Sequence, residues 1–315
     1  MKSQILVPLA LVLSAALAAP AALGCTDILV SKGASADGSV MVSYSADSGG
    51  SLAQLFLLPA ADHEAGELVE PVNWERRNSG CKVKQVAHTY QVVNLMNEHQ
   101  LCLGETTYGG REELHNAEEG LNYAELLSLT LQRYKTAREA VLGMAELMQE
   151  YGYSDEGETF SVADTEEVWM MDVIGKGPGR QGAVWVACRI PDGKMTAHAN
   201  RSRIAEFPLD DEENWLYSPD VIDFAVEMGY YDPAAGEPFS FCAAYDPPYP
   251  YSLRVCSGRV WSVYRRAAPS RNFSPDYFRG VEGTPDLPLF IEPDEKLTLQ
   301  AVMALMRDHF EGTPW

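Results

Sequence analysis

The chain has 315 residues and a net charge of −21, with 24 Lys and Arg against 45 Asp and Glu. That balance argues against nucleic acid and anionic lipid surfaces as partners, because both call for positive surface. Apolar residues make up 46% and aromatics 10%, enough for a large core, and no composition break, linker or repeat divides the chain.

The elements begin with a leader. Lys2 is the only charge beside an apolar run from Ile5 to Ala19, which Pro8 and Ser14 alone interrupt. Ala22-Leu23-Gly24 then puts small residues at −3 and −1 of a cut before Cys25. This pattern predicts a signal peptide over residues 1–24 and an exported protein, periplasmic or extracellular. A membrane anchor is the competing reading. Against it stand a run near the lower length limit for a span, a proline near each end and no stop-transfer flank. No later stretch is apolar enough to span a bilayer, so no stable membrane association is expected after cleavage.

Strand-like runs follow at "TDILVSK", "SVMVSYS" and "LAQLFLLP", the first two joined by a turn at Ala36-Asp37-Gly38. "HTYQVVNLMN" and "LCLGETTYG" read as a second hairpin turning near Glu98-His99-Gln100. Two helices come next. Asn122 caps "YAELLSLTLQRY", and Thr136 with Glu139 forms a capping box ahead of "AVLGMAELMQEY", which Gly152 ends. Strands return at "FSVAD", "EVWMMDVI", "AVWVACRI" and "MTAHAN", and a last helix is expected at "LTLQAVMALMRDHF". The glycine-rich Gly175–Gly182 stretch lies between two strands with no helix after it, so it reads as a hairpin loop, not a phosphate loop. The order implies an α+β fold of antiparallel sheets covered by helices, for which an αββα sandwich fits.

Chemistry centres on Cys25, at the join of leader and first strand. A lipid-modified cysteine would want a branched aliphatic at −3 and a small residue at −2, the reverse of Ala22 and Leu23. A structural cysteine is a second reading. The third is an N-terminal nucleophile. Cleavage leaves a thiol and a free α-amine on one residue, and an amine with a pKa of about 7.7–8.0 can serve as the base for that thiol. Other hydrolase signatures are missing: there is no HExxH around His99 and no GxSxG. The acidic run Asp210–Glu213 lacks a calcium-loop pattern and reads as solvated surface. No metal or other cofactor is called for. Of the five other cysteines at least one stays unpaired, and Cys242 with Cys256 is the first pair to try, since they flank "AAYDPPYPYSLRV". Burial of all five as small hydrophobes is the alternative.

The stretches "CTDILVSKGASADGSVMVSYSADS", "MNEHQLCLGETTYGGREEL", "LQRYKTAREAV", "YGYSDEGETFSVAD" and "GAVWVACRIPDGKMTAHANRSRI", in this order, resemble the dipeptidase A family of cysteine peptidases. These are N-terminal nucleophile hydrolases, relatives of penicillin V acylase and bile salt hydrolase. The resemblance covers nearly the whole of residues 25–315 and implies one hydrolase domain that cleaves dipeptides. It implies Cys25 as nucleophile, Asp47 near its amine, Asn200 as an oxyanion ligand, Thr107 at the other oxyanion position, and either Arg254 or Arg259 as the active-site arginine. Tyr44-Ser45-Ala46 stands where many relatives have Arg-Asn. Plainer readings of these residues remain open: Asp47 and Asn200 as turn residues, the arginines as ion-pair partners. Members of the family commonly run on past "RDHFEGTP", so a fragment and a short variant are both open, as is a homo-oligomer. Alternative functions are an amide acylase of the penicillin V or bile salt type, and an inactive scaffold kept for binding.

Overall fold

In the computed structural model the described residues are 24–47, 54–64, 66–76, 78–117 and 119–315. The expected signal peptide lies outside them except for Gly24.

Strand β1 (Thr26–Val30) pairs with β2 (Met41–Ser45), with Asp27 opposite Tyr44. The turn between them is held by Asp37, whose Oδ1 accepts from the Ser35 hydroxyl and from the amide and hydroxyl of Ser39. Gly38 follows at φ +76°, a conformation glycine adopts without strain. A much larger sheet takes in β3 (Leu57–Leu58), β4 (Val92–Val93), β5 (Met96–Asn97), β6 (Cys102–Tyr108), β7 (Gly157–Ala163), β8 (Val168–Gly175) and β9 (Ala183–Arg189). Strand β10 (Met195–His198) then returns to the small sheet, and β11 (Trp215–Tyr217) ends the large one. The small sheet runs β10-β1-β2 and the large one β11-β9-β8-β7-β6-β5-β4-β3, antiparallel throughout.

Helices α1 (Tyr123–Arg133) and α2 (Ala137–Tyr151) both begin in capping boxes, Asn122 with Glu125 and Thr136 with Glu139. Gly152 ends α2 at φ +85°. Their apolar faces meet Leu103, Phe160, Val162 and Met171 on one side of the large sheet. The opposite side of that sheet offers Met170, Ile174 and Val186, which meet Leu29 and Val42 of the small sheet. Short helices α3 (Val221–Glu227) and α4 (Phe241–Tyr245) close this inter-sheet core. The outer side of the small sheet, with Ile28, Val30 and Ala197, packs on α5 (Gly258–Ala267) and α6 (Leu299–Met306). The order of layers is therefore helix, sheet, sheet, helix, and the α+β expectation holds.

Three local expectations are revised. The expected "LAQLFLLP" strand shrinks to two described residues, because only Leu57 and Leu58 find partners, at Val93 and Val92. The last helix is shorter than the apolar run, bounded by the Thr298 cap and by Arg307, which leaves helical geometry at φ −97°, ψ 9°. Cys242 and Cys256 are free thiols, as are the other four cysteines. Cys242 lies 3.6 Å from the Ser240 hydroxyl on α4, and Cys256 turns to the Arg259 guanidinium.

Candidate active site

Side chains alternate along a strand, so Cys25, two residues before Asp27, continues the face of β1 that looks into the sandwich. Tyr44 and His198 flank Asp27 on the neighbouring strands in the same register. The half-buried Cys25 thus sits where the two sheets end, with the polar end of the inter-sheet layer behind it.

Its backbone nitrogen donates to Asn200 Oδ1 at 2.7 Å. Asn200 stands two residues past β10 at φ +47°, a left-handed geometry that asparagine tolerates better than most residues. The chain after it is tied down hard. Asp172 of β8 accepts from the Ser202 hydroxyl at 2.7 Å and from the amides of Arg203 and Ile204 at 3.1 Å, and Asp246 accepts from the Ser202 amide at 2.9 Å. The asparagine's orientation is fixed by its neighbours. Oδ1 also accepts from Arg259 Nη2 at 2.8 Å, and Nδ2 donates to the Thr107 carbonyl at 2.6 Å. A flipped amide would oppose donor to donor and acceptor to acceptor.

Arg259 clamps the same point from the other side. Nη1 donates to the Cys25 carbonyl and, at 2.9 Å, to Thr26 Oγ1, while Nε donates to the Val255 carbonyl at 2.9 Å. It leaves α5 one residue after its start, directly behind a π-helical turn over Leu253–Ser257. Such turns shift the helical register and re-aim side chains, which is why they gather at functional sites. Arg254, on the π turn itself, is exposed and makes none of these contacts. Of the two arginines left open by the sequence, the fold brings Arg259 to Cys25.

Asp47 is beside Cys25, its backbone amide close enough to the thiol to favour the thiolate and its carboxylate near Gly24. A side chain on Gly24 would touch both Asp47 Oδ2 and Arg259 Nη1 at 3.4 Å. Thr107 is also brought to the site. Its carbonyl accepts from Asn200 and its hydroxyl donates to Glu158 Oε1 at 2.7 Å.

The electrostatics set a chemical problem. Burial pushes the Cys25 thiol up to about 12, with the Glu105 carboxylate adding to the rise; the Asp47 amide and Arg259 pull the other way. A thiol in that state is scarcely ionised at neutral pH and needs a base within reach. His198 cannot be that base. It is fully buried, and burial then the Arg203 charge pull it down to about 3, so it stays neutral. Its Nδ1 meets Thr106 Oγ1 at 2.7 Å and its Nε2 meets Ser161 Oγ at 2.8 Å, which donates to Asp27 Oδ2 at 2.6 Å. These residues have the composition of a Ser-His-Asp triad, yet all are sealed from solvent between the sheets. The group locks β1 and β10 onto β6 and β7 beneath Cys25.

The sequence profile of peptidase family C69 matches residues 24–67 and 70–315. The chain belongs to peptidase family C69. A probable dipeptidase of Salmonella dublin is 27% identical over 312 residues, covering 92% of this chain and 67% of its own length. A probable dipeptidase of Latilactobacillus sakei is 26% identical over 306 residues, with 92% and 61% covered. Dipeptidase A of Lactobacillus helveticus is 24% identical over 321 residues, with 92% and 62% covered. The chain spans about two thirds of the length of these relatives. This C69 member also carries site-adjacent residues that no motif in its sequence pointed to: Glu105, Glu158 and the Asp27–Ser161–His198–Thr106 group, along with Tyr44, which had stood out only for replacing Arg-Asn. The available signal was polarity inside strands, since Glu105 and Glu158 are acids within runs that otherwise read as buried β-structure.

Proposed function

We propose that this C69 member is an exported dipeptidase of the N-terminal nucleophile type, with Cys25 as the first residue of the active chain. The observation that carries the reading is the bond from Cys25 N to Asn200 Oδ1 beside the Arg259 clamp. Once the bond to Gly24 is cut, the nitrogen becomes an α-amine. Asn200 Oδ1 then takes one of its N–H bonds, which leaves the lone pair to face the thiol on the same residue. The Arg259 charge disfavours a protonated amine and favours a thiolate, the pairing the first step requires.

The amine accepts the thiol proton, and the sulfur forms its bond to the scissile carbonyl carbon. Asn200 Nδ2 has a second proton besides the one given to Thr107, and this supplies an oxyanion ligand. Collapse breaks the C–N bond as the α-ammonium returns its proton to the leaving amine. Water then hydrolyses the thioester and restores the thiol. Dipeptides are the proposed substrate class because curated relatives are named dipeptidases.

The test compares protein beginning at Cys25 with protein carrying one extra residue ahead of it. An extension turns the amine into an amide and removes the base, so the extended form should not turn over dipeptides, while the form beginning at Cys25 should. Equal activity in the two forms, verified by N-terminal mass, refutes the mechanism.

A further inference from the structure

An unbroken set of contacts runs around the nucleophile. From Cys25 it passes to Asn200, then to the Thr107 carbonyl, and from the Thr107 hydroxyl to Glu158. Glu158 faces Glu105 closely enough for the two carboxyl groups to hydrogen-bond each other. Glu105 Oε1 accepts from the Tyr44 hydroxyl. Tyr44 lies opposite Asp27, two residues from Cys25, which brings the far end of the set back beside the first strand.

The Cys25 end of this set is cationic, with Arg259 on Cys25. The other is anionic. Glu105 is 1% exposed and Glu158 is fully buried. Among the described residues neither Oε2 atom has a donor outside the pair, and no Lys, Arg or His pairs with either carboxylate. Burial raises both carboxyls, Glu158 the further, so a proton shared between them rests on Glu158 and Glu105 is the one to ionise, a charge that a buried site tolerates poorly without a cation. Both Glu105 and Tyr44 are near enough to Cys25 to interact electrostatically with its thiol.

A dipeptide brings such a cation. Its α-ammonium nitrogen is two bonds, about 2.5 Å, from the scissile carbonyl carbon. Whatever holds that ammonium must therefore lie within a few ångströms of the attacking sulfur. We infer that the Glu105 carboxylate, oriented by the Tyr44 hydroxyl and backed by Glu158, is the subsite that takes the free α-ammonium of the substrate. The inference rests on the dipeptidase reading and assigns its specificity for an unblocked N-terminus. It also accounts for the anion beside the nucleophile. In the empty site Glu105 opposes thiolate formation, and a bound ammonium cancels that opposition, so an unblocked substrate helps to activate the sulfur that attacks it. An N-acylated substrate has no charge to offer and leaves the carboxyl pair uncompensated.

The experiment measures kcat and KM of the form beginning at Cys25 on a dipeptide and on its N-acetylated counterpart. Wild-type protein should favour the free dipeptide by about 10²-fold or more in kcat/KM, as expected when a buried charged partner is left unmatched by the wrong substrate. E105Q keeps an acceptor for the Tyr44 hydroxyl but loses the charge. It should lose about 10²-fold on the free dipeptide, with a raised KM, and leave the N-acetylated substrate no worse or somewhat faster, since the charge opposing the thiolate is gone, so that the preference collapses. A role in packing alone would lower both substrates together. Y44F, which keeps the carboxylate, should keep the preference. E105Q with wild-type preference overturns the inference, as does wild-type protein that cleaves both substrates equally well or favours the acetylated one. If E105Q does not fold, the wild-type and Y44F preferences still decide. Failure of wild-type protein on every dipeptide instead refutes the dipeptidase reading itself.

Discussion

Replacing Arg259 by lysine tests the site's geometry most directly. The guanidinium spends one bond on Val255 and three on the site: the Cys25 carbonyl, Thr26 Oγ1 and Asn200 Oδ1. A lysine ammonium is a compact point donor and cannot span acceptors laid out for a planar fork. It serves one of the three and leaves about two bonds unmade. Bonds from a charged donor contribute about 1.5–3 kcal/mol each, and the half-buried position argues for the lower end. The loss is about 3 kcal/mol, of which a tenfold change in rate consumes about 1.4. R259K should therefore lower kcat by about 10²-fold, because the cost falls on the orientation of Asn200 and of the nucleophile rather than on substrate contacts. The assay is steady-state dipeptide hydrolysis by the form beginning at Cys25, alongside the pH dependence of Cys25 alkylation by iodoacetamide, which should stay near wild type because lysine keeps the charge. R254K is the matched control and should behave as wild type, since Arg254 is exposed and outside the contacts that hold Cys25. An R259K enzyme within threefold of wild type, or equal losses in the two variants, would refute the clamp.

Asn200→Gly preserves the left-handed backbone but removes all three side-chain bonds, so kcat should fall by about 10²–10³ while thermal unfolding changes little. His198 is held neutral in the fold, down at about 3, while the unfolded chain protonates it near 6.5. The unfolded state thus binds the extra proton between these pH values, and His198 contributes a loss of stability as pH falls through that window, at most about 1.4 kcal/mol per pH unit. Buried Asp27 and Glu158, raised by burial, act in the opposite sense, so the readout is the difference between wild type and H198Q in melting temperature from pH 7 to 4. A difference that does not change with pH would contradict the assignment. Gly104→Ala puts a Cβ 2.5 Å from Asp27 Oδ2 and 3.3 Å from Tyr44 Cβ, which should cost about 1–3 kcal/mol and several degrees in melting temperature by calorimetry.

What was legible in the sequence is local physics. Asn122 and the Thr136–Glu139 pair announce their helices because a cap satisfies backbone donors within one turn. The β1–β2 hairpin follows from Asp37-Gly38, and the β8–β9 loop from glycines between two apolar runs. Cys25 stood out because a thiol next to a predicted cut acquires its own base, a property of one residue. Tertiary structure decided everything that depends on distance across the chain. Arg254 and Arg259 are alike as text, and only the π turn ahead of α5 sends one to Cys25, 234 residues away. Thr107 was placed near the site by its neighbours, but whether it offers a donor or an acceptor depended on where Asn200 came to rest. Glu105, Glu158 and Tyr44 carry no motif at all. They come together because strands from two sheets end side by side, and strand register, not local sequence, selects which polar side chains share that end.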